Sequence, residues 1–425
     1  MDRRVVVTGL GLISPLGSNL KESWQSLIQG KSGIRRVRSS ISENLPCSIA
    51  GEIKDFDPVQ FIPKRKSIKL MNRGSQLVAA AANMALADSG INPDETGLVL
   101  GIGGTQYAIE DAVTAIYASL SEDMTVDHQR FGREGLQSLN PIWPFTLLPN
   151  MALCHISILY HIQGPNVIFS SIASAGAQAI GEAVKKVKEG EVPVFLAGGC
   201  DTINPICLTS FFLKDLLSPF SDNPEEICCP FDRERTGLVL GEGAALLIVE
   251  DLDHARERGA KIYAEITGYT SCVYGMGDMP GKESLDREIH GAENSMRGAL
   301  EDAGISPEEI DYINAEGRSC EISDWAETEA IKRVFGDYAY KVPISSNKSM
   351  TGHLLCASGA AEAIFSILTI NENIIPPTIN YHHPDPRCDL DYIPNEAREK
   401  KVDIVLSNTF SPEGDYTTLI MKRFS

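Results

Sequence analysis

Short apolar, β-branched runs alternate along this chain with longer stretches of helical spacing. Residues 4–8 and 97–102 read as strands, the second stopped by Gly103-Gly104. Between them, 75–89 is Ala-rich with a 3.6-residue period, and Gly90 suits its C-cap. The run from Gly164 to Ile172 turns abruptly into a small-residue amphipathic helix over 174–189, capped by Gly190. Residues 192–197 form a strand closed by Gly198-Gly199. The style then repeats: strands over 261–269, 311–315, 344–346, 401–406 and 417–422, and helices over 292–303, 325–335 and 359–371. Strand–helix alternation in two comparable halves, 1–258 and 259–425, predicts an α/β layered fold whose halves pack as one unit.

Composition narrows the class. Of 425 residues, 43% are hydrophobic and 22% charged, an ordinary globular balance. With 38 basic against 57 acidic residues the net charge is −19, which argues against nucleic acid or an anionic membrane as the main partner. Ten cysteines without regular spacing, two of them adjacent at Cys228-Cys229, suit reduced thiols in a cytoplasmic protein. Arg3-Arg4 before an apolar run has a faint signal-peptide outline, but glycines and a proline interrupt it and no cleavage pattern follows. No run of about 18 apolar residues is present to span a membrane.

The junction at residue 173 has the geometry of a nucleophile site. A side chain there meets the free N–H groups and positive dipole end of a helix, which favour an anion. The residue is Ala173, which carries no reactive group. Glu316, in Asn314-Ala-Glu-Gly-Arg318, stands where a neutral donor would be expected. Lys348 and His353 lie beside a small-residue helix, and Gly237-Leu-Val-Leu-Gly-Glu-Gly-Ala244 is a Gly-rich strand turn that buries Glu242. Asn408-Thr-Phe-Ser-Pro-Glu-Gly414 is a loop before the last strand.

Taken in order with Pro230-Phe-Asp-Arg-Glu-Arg-Thr, Ile375-Pro-Pro-Thr-Ile-Asn380 and Cys388-Asp-Leu-Asp391, these stretches resemble the β-ketoacyl-ACP synthase family, synthase II type, over nearly the whole chain. The resemblance implies a thiolase fold, α-β-α-β-α in layers, with two pseudo-symmetric halves and pairing of two chains across a strand near 164–170. It implies no bound cofactor and no metal; a phosphopantetheinylated acyl carrier protein brings the substrate. In the family a Cys takes the acyl chain, and two His residues stabilise the enolate left when the malonyl carrier loses CO2. The Cys position is Ala173, the first His position is Glu316, and the second is His353. Supporting residues Lys348, Asp324, Glu327 and Glu242 match. A His-Gly-Thr-x-Thr run is replaced by Glu316-Gly-Arg-Ser-Cys320, and the flexible Gly-Phe-Gly-Gly gate by Ser411-Pro-Glu-Gly414, with Pro412 in place of the aromatic.

Loss of nucleophile and gate together points to a paralogue that does not condense. The sequence favours a chain-length-factor-like partner of an active ketosynthase, as in type II polyketide, polyene or fatty-acid-like synthesis. Such partners lack the Cys and place an acidic residue near the first His position. A malonyl-ACP decarboxylase is the alternative, as is condensation through a non-standard site. Charge weighs against decarboxylation, because Glu316 would repel the carboxylate and the enolate, and Lys348 and Arg318 favour its ionised form. Ser171, Ser174, Cys320 and Cys356 are the substitute nucleophiles to weigh; the serines lack a base, and Cys356 suits packing. Phe211, Phe212 and Leu213 fall where the family lines its acyl pocket, and Tyr107, Tyr117 and Trp143 in its dimer and tunnel region. Lys64, Arg65, Lys66, Lys69 and Arg73 form a basic cluster, either a solvated helix face or a dock for an acidic carrier protein.

Overall fold

The computed structural model describes residues 3–37, 48–103, 109–219, 221–275 and 282–425. Ten strands form one mixed sheet. The first five are β1 (Val5–Ile13), β2 (Gly97–Ile102), β3 (Asn166–Phe169), β4 (Val194–Asp201) and β5 (Gly243–Asp251). The second five are β6 (Ala264–Val273), β7 (Tyr312–Asn314), β8 (Ile344–Ser345), β9 (Ile404–Phe410) and β10 (Asp415–Lys422). Their spatial order is β8-β7-β9-β10-β6-β1-β5-β4-β2-β3. Read outward from the centre, each half repeats the same order and the same sense: two antiparallel steps, then three parallel strands. Within the sheet the two halves join where β1 meets β6, through Val6↔Glu265 and Val7↔Ala264.

The layers follow from alternation along these strands. On β5, Ala245, Leu247 and Val249 face a central core, and Ala244, Leu246 and Ile248 face an outer one. The central core holds helices α3 (Ala175–Glu189) and α8 (Ser358–Glu372) between the two half-sheets. The outer cores hold α1 (Arg73–Ser89) and α2 (Asn150–Tyr160) on one side, and α5 (Lys282–Ala303) and α6 (Glu321–Phe335) on the other. The result is the five-layered thiolase fold expected from the sequence.

Several boundaries differ from the sequence reading, for physical reasons. Strand β5 is a full nine-residue strand, not only a Gly-rich turn. It is buried on both faces, so its apolar run shows no alternation. Strand β4 continues through Gly198 and Gly199, because a side chain at 199 would strike the Cys356 carbonyl and glycine is what that close approach requires. Helix α5 starts ten residues before the expected 292, and its early charged turns hid it. Among the described residues no helix is long and apolar enough to cross a membrane.

Candidate functional site

The site sits where parallel strands end and deliver their loops, the usual location of chemistry in open α/β sheets. Strand β3 leads to Ala173, β7 to Glu316, β8 to Lys348 and His353, and β9 to Phe410. Ala173 is completely buried immediately before Ser174, the N-cap of α3. The helix start lies hard against the 353–357 segment: a Cβ at Gly176 would come within 2.4 Å of the Cys356 carbonyl oxygen. Cys356 Sγ donates to the Ser171 carbonyl at 2.7 Å.

Glu316 is 2% exposed and is the hub of a buried ionic cluster. Its Oε2 lies 3.1 Å from Lys348 Nζ and accepts from the Phe410 N–H at 3.0 Å. Its Oε1 lies 3.3 Å from His353 Nε2, facing the ring nitrogen but too poorly aligned for a full hydrogen bond. Lys348 Nζ also pairs with Glu362 Oε1 on α8. Burial alone would raise the Glu316 carboxyl, but Lys348, His353 and Arg318 outweigh it and hold it down at about 2. Burial pushes Glu362 up to about 7 against the pull of Lys348. Burial also lowers His353, keeping its ring neutral. Its Nδ1 accepts from the Leu355 N–H at 3.0 Å, so the ring proton belongs on Nε2, facing Glu316.

The supporting carboxylates hold loops. Glu327 accepts from the Glu316 and Gly317 N–H groups, each at 2.9 Å, and from Asn408 Nδ2 at 3.0 Å. Burial raises it to about 7 despite these donors. Asp324 accepts from the Arg318 N–H at 3.0 Å and the Phe231 N–H at 2.9 Å. Arg318 is buried and pairs with Glu288 at 2.7 Å.

Other expected residues fall elsewhere. Glu242 is buried, but its carboxylate grips Arg73 at 2.6 and 2.9 Å and accepts from the Ile53 N–H at 2.9 Å, away from the Glu316 cluster. Arg73, itself 42% exposed, is therefore the ion-pair partner of a buried carboxylate, whereas Lys64, Arg65, Lys66 and Lys69 are exposed around the short helix Arg65–Ile68 and make no salt bridge to a described residue. Phe211 is buried and lines a cleft of about 350 Å³ with Ile172, Ser171 and Asp201; Phe212 is partly exposed on an outer cleft. Tyr107 lies outside the described residues, Tyr117 is exposed and Trp143 half-buried. The substitute nucleophiles find no activation. Burial raises the Cys356 thiol far above its ordinary value and Cys320 to about 12, and the Ser171 and Ser174 hydroxyls touch no base. Sequence reading missed Glu362 and Glu288; a lone Glu in the otherwise apolar and small-residue 359–371 helix was the signal for the first.

Strand order, paired central helices and polar loops at the strand ends define a thiolase-fold condensing-enzyme scaffold. The chain belongs to the β-ketoacyl synthase family: the family's N-terminal domain matches residues 2–255 and its C-terminal domain 263–382. It is 40% identical to a 3-oxoacyl-[acyl-carrier-protein] synthase 2 of Coxiella burnetii, over 99% of each chain. The same-named protein of Synechocystis is 37% identical, over 99% of this chain and 98% of the relative. Among solved structures, the ishigamide ketosynthase/chain length factor superposes with TM-score 0.86 at 30% identity, covering 100% of both chains. A type II polyketide synthase acyl carrier protein in complex with its ketosynthase superposes at 0.85 and 30%, also covering 100% of both.

Proposed function

We propose that this chain is a non-condensing ketosynthase homologue that serves as the chain-length-factor-like partner of an active ketosynthase in polyketide, polyene or fatty-acid-like biosynthesis. One observation carries the reading. The nucleophile position is an alanine, and the first donor position is an ionised carboxylate tied to Lys348 and facing the remaining histidine. A condensing site needs an anion at 173 and two neutral donors for an enolate. Here the pocket supplies a negative charge to a negative intermediate.

The likeness to a ketosynthase/chain length factor pair supports this reading; the likeness to a carrier-protein complex supports an acyl carrier protein as the second partner. The curated relatives carry the name of the condensing enzyme; the departures at 173 and 316 set this chain apart from the expected triad, and Arg318 departs from the run that follows it. Of the two edge strands, β8 is buried and β3 is partly exposed, which suits pairing of β3 with a second chain. Lys64, Arg65, Lys66 and Lys69 offer positive charge to an acidic carrier protein.

The test is to purify the chain alone and with a co-encoded ketosynthase, and to measure stoichiometry and turnover of malonyl carrier protein. A one-to-one complex, with condensation confined to the partner's cysteine, is expected. A lone homodimer that releases CO2 from malonyl carrier protein at an enzymatic rate would sink the partner reading in favour of a decarboxylase.

A further inference from the structure

Glu316 and Arg318 hold the same backbone unit. Strand β9 lies beside β7 only up to the Ser407↔Asn314 pair. Past that point β9 keeps β10 on one side but has no strand on the β7 side, and a buried strand end needs partners for its polar groups. At Phe410 two side chains take that place. The N–H donates to Glu316 Oε2 at 3.0 Å, and the carbonyl accepts from Arg318 Nη1 at 3.3 Å.

Both side chains are anchored. Glu316 binds Lys348, Lys348 binds Glu362, and Glu362 Oε2 accepts from Thr409 Oγ1 at 3.3 Å. That path leaves Phe410 and returns to the residue before it, closing a ring. Arg318 is tied through Glu288 to helix α5. Beyond Phe410 the turn 411–414 is tight: the Ser411 N–H donates to the Asp415 carbonyl at 2.7 Å and the Gly414 N–H to the Ser411 carbonyl at 3.0 Å. Pro412 lines both an outer cleft of about 810 Å³, walled by Arg318, Cys320 and Phe212, and an inner one of about 430 Å³, walled by Ile172 and Phe211.

We propose that Glu316 and Arg318 act as a two-point clamp on Phe410 that fixes the turn 411–414 as an immobile wall between the two clefts. A group carried in on a pantetheine arm then stops in the outer cleft, and the cleft lined by Ile172, next to Ala173 in the chain, stays a separate compartment. The proposal rests on the non-condensing reading of the site and gives it a physical cause: the residues that remove the chemistry also remove the gate. Glu316 and Arg318 are positioning residues here, acting through the Phe410 backbone.

Hydrogen–deuterium exchange on the full chain tests it. Arg318→Thr and Glu316→Ala each remove one partner of Phe410, and exchange across 409–416 should quicken about tenfold, the effect of one lost buried hydrogen bond. Glu316→Gln keeps an oxygen for the Phe410 N–H and should stay near the parent. Strand β4 should be unchanged in all three. A second readout is access to residue 173. In an Ala173→Cys background, iodoacetamide labelling of the 173 peptide should rise about tenfold when Arg318→Thr is added, since labelling then follows the open population. Unchanged exchange at 409–416 in Arg318→Thr overturns the clamp, as does an equal rise in β4. Partner binding is scored separately: a chain that exchanges as expected yet binds no ketosynthase keeps the clamp and loses the partner reading.

Discussion

Replacing Glu316 by histidine isolates the charge that, on the proposed reading, separates this site from a decarboxylating one. His353 presents its Nε2–H toward Glu316 Oε1, 3.3 Å away. An enolate oxygen accepting that proton would sit about 4 Å from the carboxylate, allowing for an ordinary hydrogen bond on the same donor. At an effective dielectric of about 20, two like charges at that distance repel by roughly 4 kcal/mol. That is about three decades in rate. Glu316→His removes the repulsion and supplies a second neutral donor. Conversion of malonyl to acetyl carrier protein, followed by intact-protein mass spectrometry, should therefore rise about a thousandfold over the parent. Glu316→Gln removes the charge but keeps an oxygen on the Phe410 N–H, and with it the closed wall, so it should stay near the parent. A Glu316→His protein that folds, binds malonyl carrier protein and decarboxylates no faster than its parent refutes the repulsion argument.

Arg73→Ala strands the buried Glu242 carboxylate and should cost about 3 kcal/mol in chemical denaturation, whereas Lys64→Ala should stay within about 0.5 kcal/mol; equal shifts would return Arg73 to the exposed basic cluster. Asp201 and Glu327 are each raised by burial from 4.5 or below to about 7. The folded state therefore holds their protons longer, so their contribution is full below the unfolded values and is lost as pH rises toward about 7. Denaturation midpoints should fall between pH 5 and 7.5, and Asp201→Asn should flatten that slope; an unchanged slope would contradict the assignment. Gly176→Ala should destabilise by about 2 kcal/mol, although alanine normally favours a helix by about 1 kcal/mol, because its Cβ meets the Cys356 carbonyl at 2.4 Å; a stabilised variant would show that the 353–357 segment yields.

Residues whose role depends on a local junction were legible in the sequence. Ala173 before a small-residue helix, Gly90 and Gly190 at helix ends, and the strand over 97–102 all stand where pattern and cap chemistry put them. Roles that depend on a distant partner were not. Nothing near Arg73 announces Glu242, 169 positions away, so a basic residue in a basic run read as part of a surface patch. Glu288 lies in a charged stretch that looks like a solvated helix face until Arg318 is placed against it. Strand β5 was hidden by burial on both faces, which removes the alternation that marks a strand. Resemblance to the family supplied the site's outline, and geometry supplied the fact that Glu316 is bound to the lysine kept from that outline.

That bond bears on how such a chain can change over generations. Ala173 at its helix N-terminus is a small apolar residue in a packed space and binds no neighbour through its side chain. Once Glu316 has joined Lys348 and Glu362, the lysine balances two buried acids, and its loss would leave both uncompensated. Arg318 and Glu288 form a second interdependent pair. On the non-condensing reading proposed above, a return to condensation would have to alter residues 173, 316 and 318 while keeping every intermediate foldable. On that reading the ionic cluster works as a ratchet: Lys348, placed by the family's chemistry, is held by its two acidic neighbours, and stability alone keeps the site in its altered form.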